Sequence, residues 1–526
     1  MCMLTLQATS LNWALEHALK YGDTDVFPLP FEYEAIRHDW TELRTWLEGQ
    51  NILEWQVRPH RTLLSPKAKH GFRVITQLDP LDFLIFAATI KEIASDIEAS
   101  RISVNQNIVF SYRFAAGVDG QLFDANIGYE NFLNQTRVLL QHNATNFVTI
   151  TDIADFYQRI YHHRLENALQ STTNRHSHVR AIMRLLAGWN GTETFGIPVG
   201  NAPSRLLAEI TLSDVDEALL ANRVSFIRFN DDYRIFTQSY AEAYRHLAFL
   251  ADILFRNHGL TLQLQKTNIL DRDTFIKRFL STPEDLEFNS LRAGFNRLIT
   301  ELGLADQYER INYDDLTPAQ QELINSLNLV ELFIDEINVD GEPDLTLIRF
   351  ILRRMGQLGD ASIIDDVLDS LDVLHPVFPD IIQYLRRLPR LSDEQRSSIG
   401  SRIIDLLKDS IISELDYHRM WALDLFTHST EWNNQDKFFE LLISARDTLS
   451  KRQIILAMGR ASQRHWFQSQ WRNLFDEPHW SRRALLAGAS CMPTDARKHW
   501  YRSVEARLDH LERAVMKWAR QYPFGG

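Results

Sequence analysis

Two adjacent carboxylates, Asp231 and Asp232, lie within Val224–Phe236, a stretch that reads VSFIRFNDDYRIF. Aromatic and β-branched residues on both sides of a polar turn at Asn230 predict a β-hairpin. Neighbouring carboxylates repel each other and are costly to desolvate unless a cation lies beside them. A divalent metal ion is a suitable cation, because hard metals bind carboxylate oxygens. A solvated turn is the alternative that this stretch leaves open.

A third carboxylate and a lysine follow other predicted strands. The apolar letters of NFVTITD give a short buried strand that ends at Asp152, before a helical pattern begins. Ligands bind at the carboxyl ends of strands in folds that mix helices and sheet, which makes Asp152 a second candidate metal ligand. The strand-like run GLTLQLQKTNIL contains Lys266. Its ammonium group could protonate a leaving group, although an ordinary surface lysine is the alternative.

Two segments have the composition of phosphate-contacting elements. Residues 51–115 contain an extended run, a basic turn and a second extended run, and Lys67 and Arg73 belong to this predicted hairpin. Basic side chains on a hairpin could lie against a polyphosphate, or could protect a solvated edge strand. The loop GIPVGNAPS contains Pro198 and Gly200. Glycine lets a backbone approach a ligand closely, although a plain loop would have the same letters.

The composition limits the class of protein. The chain has 526 residues, 45% hydrophobic and 24% charged, which is ordinary globular usage and enough for more than one domain. Two cysteines argue against a disulfide framework or a cysteine-based zinc site. With no leader pattern and no apolar run of about 18 residues, we expect a cytoplasmic protein without a membrane partner. A net charge of −13 means that any nucleic-acid site must concentrate basic residues locally.

Taken in order along the chain, these stretches resemble the motifs of reverse transcriptases, over roughly residues 55–280. The family's first motif, an aspartate with an aromatic residue five positions on, is similar to Asp152 and Tyr157 in TDIADFYQRI. The loop motif is similar to GIPVGNAPS, the aspartate pair to FNDD, the fourth-motif lysine to Lys266, and the basic fingers hairpin to the segment with Lys67 and Arg73. The sequence departs from many relatives in having FN, rather than Tyr and another residue, before the aspartate pair.

The resemblance implies phosphoryl transfer to a DNA 3′ hydroxyl or another hydroxyl primer, assisted by two Mg²⁺ ions about 3.5–4 Å apart. Asp152 and Asp231 would bridge both ions. Asp232 would assist them, and the backbone carbonyl of Ile153 would hold the ion on the nucleotide side.

The resemblance also assigns residues to the incoming dNTP. Lys67 and Arg73 would grip its triphosphate and neutralise charge that builds in the transition state. Tyr157 would stack under the sugar and exclude a 2′ hydroxyl, and Lys266 would protonate the pyrophosphate. The loop segment Pro198–Gly200 would contact template and nucleotide.

The predicted fold is an α+β N-terminal half, with the fingers and palm of a reverse transcriptase, followed by an all-α domain of HEAT-like helical repeats. We expect a reverse transcriptase-like domain over 1–280, with a helical extension at about 1–50, fingers at about 51–145 and palm at about 146–280. The repeat domain would occupy 285–526, where apolar faces recur in units of roughly 35–45 residues.

Local signals in the second half mark helix starts and one basic segment. Capping boxes at Thr317–Gln320 and Ser392–Gln395 predict helix N-termini. The last predicted helix, at about Thr494–Arg520, interleaves basic residues with Trp500 and Trp518. That pattern is typical of single-stranded nucleic-acid binding, and a terminal cap helix is the alternative.

The wording GIPVGNAPSRLLAEI and the helical tail look most similar to the bacterial abortive-infection and defence-associated branch of the family. The resemblance implies an antiphage enzyme of the bacterial cytoplasm that makes single-stranded DNA from dNTPs, and it implies a homo-oligomer. It permits synthesis without a template from one of the enzyme's own tyrosines. Templated synthesis on a partner noncoding RNA and a catalytically silent scaffold that binds a phage or host protein are the alternatives. The candidate priming tyrosines are Tyr21, Tyr33, Tyr417, Tyr501 and Tyr522.

Overall fold

The contacts of the chain divide it into two units. In the computed structural model, the first unit is Met1–Thr62 with Val74–Ser281, and the second is Leu63–Arg73 with Thr282–Gly526. The first contains the α+β half and the second is helical apart from the hairpin segment, in agreement with the predicted fold class. The structure describes residues 3–22, 26–142, 145–280, 317–318, 321–322, 328–339 and 341–524.

A four-stranded antiparallel sheet forms the centre of the first unit. Its spatial order is β4-β5-β3-β6, and each neighbouring pair is antiparallel. One face is covered by a cluster of buried apolar side chains that includes Val148, Ile227 and Phe236. Since side chains alternate along a strand, these residues pack inward while their neighbours point to the other face. The strands are β3 (Phe147–Asp152), β4 (Phe226–Phe229), β5 (Asp232–Thr237) and β6 (Asn268–Asp271).

In the described residues up to 280, twelve α-helices and a separate two-stranded sheet accompany the central sheet. The long helix α4 is buried on most sides, begins with a proline and is capped by Asp79, whose side chain accepts a hydrogen bond from Leu81 N at 3.1 Å. The bounds are β1 (Arg61–Ala68), β2 (Gly71–Gln77), α1 (Ala8–Tyr21), α2 (Glu32–His38), α3 (Trp40–Glu48), α4 (Pro80–Ser100), α5 (Tyr129–Gln141), α6 (Phe156–Arg159), α7 (His162–Thr172), α8 (His176–Asn190), α9 (Ala202–Thr211), α10 (Ser213–Ala221), α11 (Tyr240–Ile253) and α12 (Arg272–Phe279).

The second unit is built from amphipathic helices that pack in succession along the chain. Helices α14, α17, α19, α21, α23 and α25 each contact the next one in this series. The bounds are α13 (Leu329–Ile337), α14 (Leu345–Leu358), α15 (Ile364–Asp369), α16 (Leu371–Leu374), α17 (Phe378–Arg387), α18 (Asp393–Leu406), α19 (Asp416–His428), α20 (Phe438–Ser444), α21 (Thr448–Arg460), α22 (Arg464–Phe467), α23 (His479–Gly488), α24 (Thr494–Val504) and α25 (His510–Gln521). Successive packing is what stacked helix pairs require, and the assignment to HEAT repeats stays a prediction.

Two sequence signals in this unit have different outcomes. The capping box at Ser392 is confirmed, since its side chain accepts a hydrogen bond from Gln395 N and the Gln395 side chain accepts one from Ser392 N. The predicted capping box at Thr317–Gln320 includes residues outside the described part of the chain.

The predicted last helix is wrong in its extent and in the exposure of its aromatic residues. Two helices, α24 and α25, replace it. Trp500 and Tyr501 are buried, and they donate hydrogen bonds to the carbonyls of Phe467 and Leu486 at 3.0 and 2.8 Å. Trp518 is buried too. Because stacking on bases needs exposed rings, these buried aromatic residues pack in the core instead. This agrees with the alternative of a terminal cap helix.

Among the described helices, none combines the length and the apolar character needed to span a bilayer.

Candidate active site

The register of the central sheet brings the predicted carboxylates to one end of it. Asp152, the last residue of β3, pairs with Asp232, the first residue of β5. Directly opposed residues of an antiparallel pair have Cβ atoms about 4.5–5.5 Å apart. The backbone N–H of Ile153 donates to the carbonyl of Asp231 at 3.1 Å, which holds the turn against the end of β3. Three acidic residues from two distant segments therefore lie side by side.

The turn between β4 and β5 consists of Asn230 and Asp231, as the letters FNDD predict. Asn230 has a positive φ of 56°, a conformation that asparagine tolerates better than most residues. The observed β4 begins at Phe226, two residues later than predicted, and β5 begins at Asp232 itself. Asp231 is thus in the turn, while Asp232 is on the strand.

The carboxylates perturb one another and the nearby lysine. Burial raises the pKa of Asp232 to about 6; Arg234 opposes this rise, and the charges of Asp152 and Asp231 add to it. Lys266 donates a hydrogen bond from Nζ to Asp152 Oδ2. Burial lowers the pKa of Lys266, but this hydrogen bond and the three carboxylate charges outweigh it and raise the pKa above its ordinary value. Negative charge is therefore concentrated here beyond what the neighbouring cations neutralise.

The donor set fits a magnesium site. It consists of carboxylate oxygens at the end of a sheet, and hard divalent ions prefer oxygen ligands. Burial is the main cause of the raised pKa of Asp232, and the charges of Asp152 and Asp231 add to it, so a bound cation would favour the ionised carboxylate. Lys266 Nζ now bonds one oxygen of Asp152, so ions that bind this oxygen must displace it.

The predicted sugar-contacting tyrosine lies beside the turn. Tyr157 is half-buried on the short helix α6. Its hydroxyl donates to Asn230 Oδ1 at 3.3 Å, and its carbonyl accepts a hydrogen bond from Ile197 N at 3.0 Å. The structure therefore joins the first motif to the aspartate turn on one side and to the glycine–proline loop on the other.

The loop is held between β2 and α9. Thr76 N donates to the carbonyl of Val199 at 3.0 Å, and the Asn201 side chain caps α9 while donating to the carbonyl of Pro198 at 3.1 Å. Pro198 is buried, and Gly200 is half-buried with a φ of 108°, a value that favours glycine. The loop's nucleotide contact stays a prediction.

The two basic residues assigned to the triphosphate lie on the hairpin of β1 and β2. Lys67 and Arg73 are exposed, and both belong to the segment Leu63–Arg73 that groups with the helical unit. Within that unit, burial raises the pKa of Tyr417, and nearby Ser65 and the charge of Arg73 oppose the shift. The triphosphate role of the two residues stays a prediction.

Residues 65–288 match the family described as reverse transcriptase (RNA-dependent DNA polymerase). The chain carries a reverse transcriptase domain. It is by this match an RNA-directed DNA polymerase, whose substrates are nucleic acid and dNTPs, and domains of this family use divalent metal ions. All ten predicted site residues, from Lys67 to Lys266, lie within the matched segment.

Solved structures similar to the chain include telomerases. The telomerase of Candida albicans in complex with a TWJ fragment of telomeric RNA has 12% sequence identity and a TM-score of 0.32, over 71% of this chain and 69% of that one. The apo telomerase of Candida tropicalis has 10% identity and a TM-score of 0.30, over 70% and 69%. Similarities at these TM-scores do not establish a shared fold. No curated protein matches the sequence.

Sequence reasoning missed a buried polar network under the aspartate turn of the reverse transcriptase domain. Arg228 on β4 bonds Asp216 through Nε and Nη2, at 2.9 and 2.5 Å, and its Nη1 lies 3.1 Å from Glu209 Oε2. Glu209 also pairs with Arg101 at 2.6 Å. The arginine in the apolar strand FIRF was the one available signal, because a buried arginine needs acidic partners. Those partners come from distant segments, which no spacing reveals.

The basic and aromatic letters at Phe110–Phe114 do not form an exposed patch. Phe110 and Arg113 are buried, and Arg113 donates to Glu98 at 2.9 Å and to two backbone carbonyls. An arginine with these partners stabilises the fold and cannot also grip nucleic acid.

The one compact group of metal-ligating side chains in the described residues lies elsewhere, in the helical unit. It consists of His479, Asp509 and Glu512. Glu512 accepts hydrogen bonds from Arg482 at 3.0 Å and from Asp509 N at 3.1 Å, and Asp509 caps helix α25. These atoms are occupied by a helix cap and an ion pair, so the group is not a candidate active site of the reverse transcriptase domain.

Proposed function

We propose that the protein is an antiphage-defence reverse transcriptase that joins dNTPs into DNA by two-metal phosphoryl transfer. The observation that carries the proposal is the pairing of Asp152 with Asp232 across the sheet, with Asp231 in the adjoining turn. The defence role rests on the resemblance of the loop wording and helical half to that branch of the family.

In this mechanism, Asp152 and Asp231 would hold two Mg²⁺ ions, with help from Asp232 and the carbonyl of Ile153. Such ions would supply Lewis-acid stabilisation of the attacking and leaving oxygens. The chain's own task is to keep the carboxylates at fixed positions, and the sheet register does this. Rigid positioning of this kind is the main protein contribution to phosphoryl transfer.

The remaining predicted residues act on the nucleotide. Tyr157 excludes a 2′ hydroxyl, and Lys67 and Arg73 bind the triphosphate. Lys266 carries a proton at neutral pH, since its pKa is raised, and it donates that proton to pyrophosphate. Pro198–Gly200 contacts template and nucleotide.

Two modes of synthesis fit this site, and they differ in primer and template. In the first, a tyrosine of the enzyme primes untemplated DNA. Tyr21 and Tyr522 are 43% and 53% exposed, and exposure favours them as primers. In the second, a partner noncoding RNA templates the DNA, which the family's RNA-dependent description favours. Burial argues against the other candidate tyrosines, Tyr33, Tyr417 and Tyr501, which are at most 4% exposed.

One assay separates these modes from a silent scaffold. Purified protein, stripped of nucleic acid, is incubated with each labelled dNTP and Mg²⁺, with and without RNA, and the product is treated with nuclease and protease. Product without RNA that shifts with protease indicates untemplated, protein-primed synthesis. Product that requires RNA indicates templated synthesis.

The control in that assay is the Asp231→Asn variant. The variant keeps the shape of the side chain but loses its charge, so label incorporated by it comes from a contaminating polymerase. Absence of wild-type product under every condition would favour the scaffold and contradict the proposal. Light scattering tests the expected homo-oligomer.

A further inference from the structure

Asn230 bonds two residues of the proposed site through one amide. Its Nδ2 donates to Asp231 Oδ1 at 2.8 Å, and its Oδ1 accepts from the Tyr157 hydroxyl at 3.3 Å. A carboxamide can donate to a carboxylate and accept from a phenol at the same time, whereas an aspartate at this position would only accept. The amide therefore connects a predicted metal ligand to the predicted sugar-contacting ring.

The backbone of Asn230 is held on both sides. Its N–H donates to Ser111 Oγ at 2.8 Å, and its carbonyl accepts from Arg228 Nη1 at 2.8 Å. With φ at 56°, the residue stays in a conformation that requires such support. The side-chain amide of Asn230 therefore extends from a backbone whose position is fixed by these hydrogen bonds.

The groups that hold this backbone are buried and matched in charge. The Ser111 hydroxyl donates a hydrogen bond to Glu209 Oε1 at 2.5 Å, and Glu209 and Asp216 pair with Arg101 and Arg228. These five side chains are at most 6% exposed. A buried network of paired charges resists displacement, because moving one member leaves the others unpaired.

We infer that Asn230 is a positioning residue that links selection of the sugar to binding of the metal ions. Its amide fixes the rotation of the Asp231 carboxylate and the tip of the Tyr157 ring together. This inference rests on the proposed function. Loss of the amide should therefore change two properties at once, the preference for dNTPs over rNTPs and the Mg²⁺ requirement.

Three variants separate these effects. Asn230→Gly removes the amide, and glycine accepts the positive φ without strain. Asn230→Asp keeps the shape but replaces the donor by an oxygen that repels Asp231. Tyr157→Phe removes only the hydroxyl, so it breaks the link to the ring and leaves the bond to Asp231.

Each variant is measured for kcat and KM with dNTP and rNTP, for the Mg²⁺ concentration at half-maximal rate, and for the rise in Tm that Mg²⁺ produces. The Tm measurement reports metal binding without activity. Tm without Mg²⁺ verifies that each variant is folded.

For Tyr157→Phe we expect the preference for dNTPs over rNTPs to fall about threefold to tenfold, because one neutral hydrogen bond is lost. The Mg²⁺ requirement should be unchanged. Asn230→Gly should show that fall and also raise the Mg²⁺ requirement several-fold, with a smaller Mg²⁺-induced rise in Tm. Asn230→Asp should alter the Mg²⁺ requirement in a manner distinct from the glycine variant, because it adds a carboxylate beside the ions.

The inference is overturned if folded Asn230→Gly matches the wild type in both sugar preference and Mg²⁺ requirement. It is also overturned if only one of the two properties changes, because the amide would then not link sugar selection to metal binding. Those results leave the proposed function intact. A wild type that incorporates no dNTP under any condition contradicts the proposed function and this inference together.

Discussion

Two aspartates withdrawn from solvent, one in each unit, have pKa values displaced in opposite directions. Burial raises the pKa of Asp232 to about 6, with added repulsion from Asp152 and Asp231. Burial acts in the same sense on Asp424 in the helical unit, but hydrogen bonds and the charges of His428 and Arg386 outweigh it and lower the pKa. Gln453 and Thr427 donate to the same carboxylate.

The difference separates structural from functional acid groups. Asp424 has its charge neutralised by its own fold, which is how a buried carboxylate stabilises a protein. At Asp232, burial and the neighbouring carboxylates together disfavour the ionised form, which costs stability and which a bound external cation would relieve. Substitutions at the two places should therefore have opposite consequences.

The largest expected effect is on catalysis. Asp231→Asn should lower dNTP incorporation by at least about a thousandfold, because a neutral amide cannot bridge two metal ions. The rate is measured by single-nucleotide incorporation under saturating Mg²⁺. Tm serves as the control and should not fall, since the substitution removes repulsion. Near-normal incorporation by this variant would remove Asp231 from the site.

The second largest effect is on the free energy of unfolding, and it tests the contrast between Asp424 and Asp232. Asp424→Asn should lower the free energy of unfolding by about 3 kcal/mol, because Arg386 would lose its buried partner. The matched variant Asp232→Asn should leave stability unchanged or higher. Denaturant unfolding of the two variants measures both values. A greater loss for Asp232→Asn would reverse the assignment of the two aspartates.

A third prediction concerns pH. Burial lowers the pKa of His17 to about 4, while its hydrogen bond to the Gly120 carbonyl opposes the shift. Below about pH 6.5 His17 binds a proton in the unfolded chain but not in the folded one. The free energy of unfolding therefore decreases as the pH is lowered, until His17 is protonated in both states. We expect about 3 kcal/mol to be lost between pH 6.5 and pH 4.

The variant for this test is His17→Gln, which retains a donor for Gly120 and does not titrate. Its unfolding free energy should depend less on pH over that range, by about the same amount. Equal slopes for the wild type and the variant would show that His17 is protonated in the folded protein.

The smallest effect is on sugar selection. Tyr157→Ala should lower the preference for dNTPs over rNTPs by about tenfold, because removing the ring opens space for a 2′ hydroxyl. The ratio of kcat/KM values measures it, with Tyr161→Ala, an exposed residue of the same segment, as the matched control. An unchanged preference would take Tyr157 out of the sugar-contacting role.

The sequence predicted the strand that ends at Asp152 and the turn at Asn230 because both are local patterns. Their adjacency depends on which strands pair and in which register, and only the family resemblance supplied that. The network around Arg228 was out of reach, since its acidic partners come from α9 and α10. The burial of Trp500 was missed as well, because spacing does not reveal whether a residue faces solvent or the core. The grouping of Leu63–Arg73 with the helical unit likewise depends on long-range packing.

The central claim is that the carboxylates at the sheet end gather the metal ions. Anomalous diffraction from crystals grown with Mn²⁺ and a non-hydrolysable dNTP tests it most directly. We expect peaks within about 2.5 Å of the carboxylate oxygens of Asp152 and Asp231. Peaks at His479 and Glu512 instead, with none at the sheet end, would contradict the account.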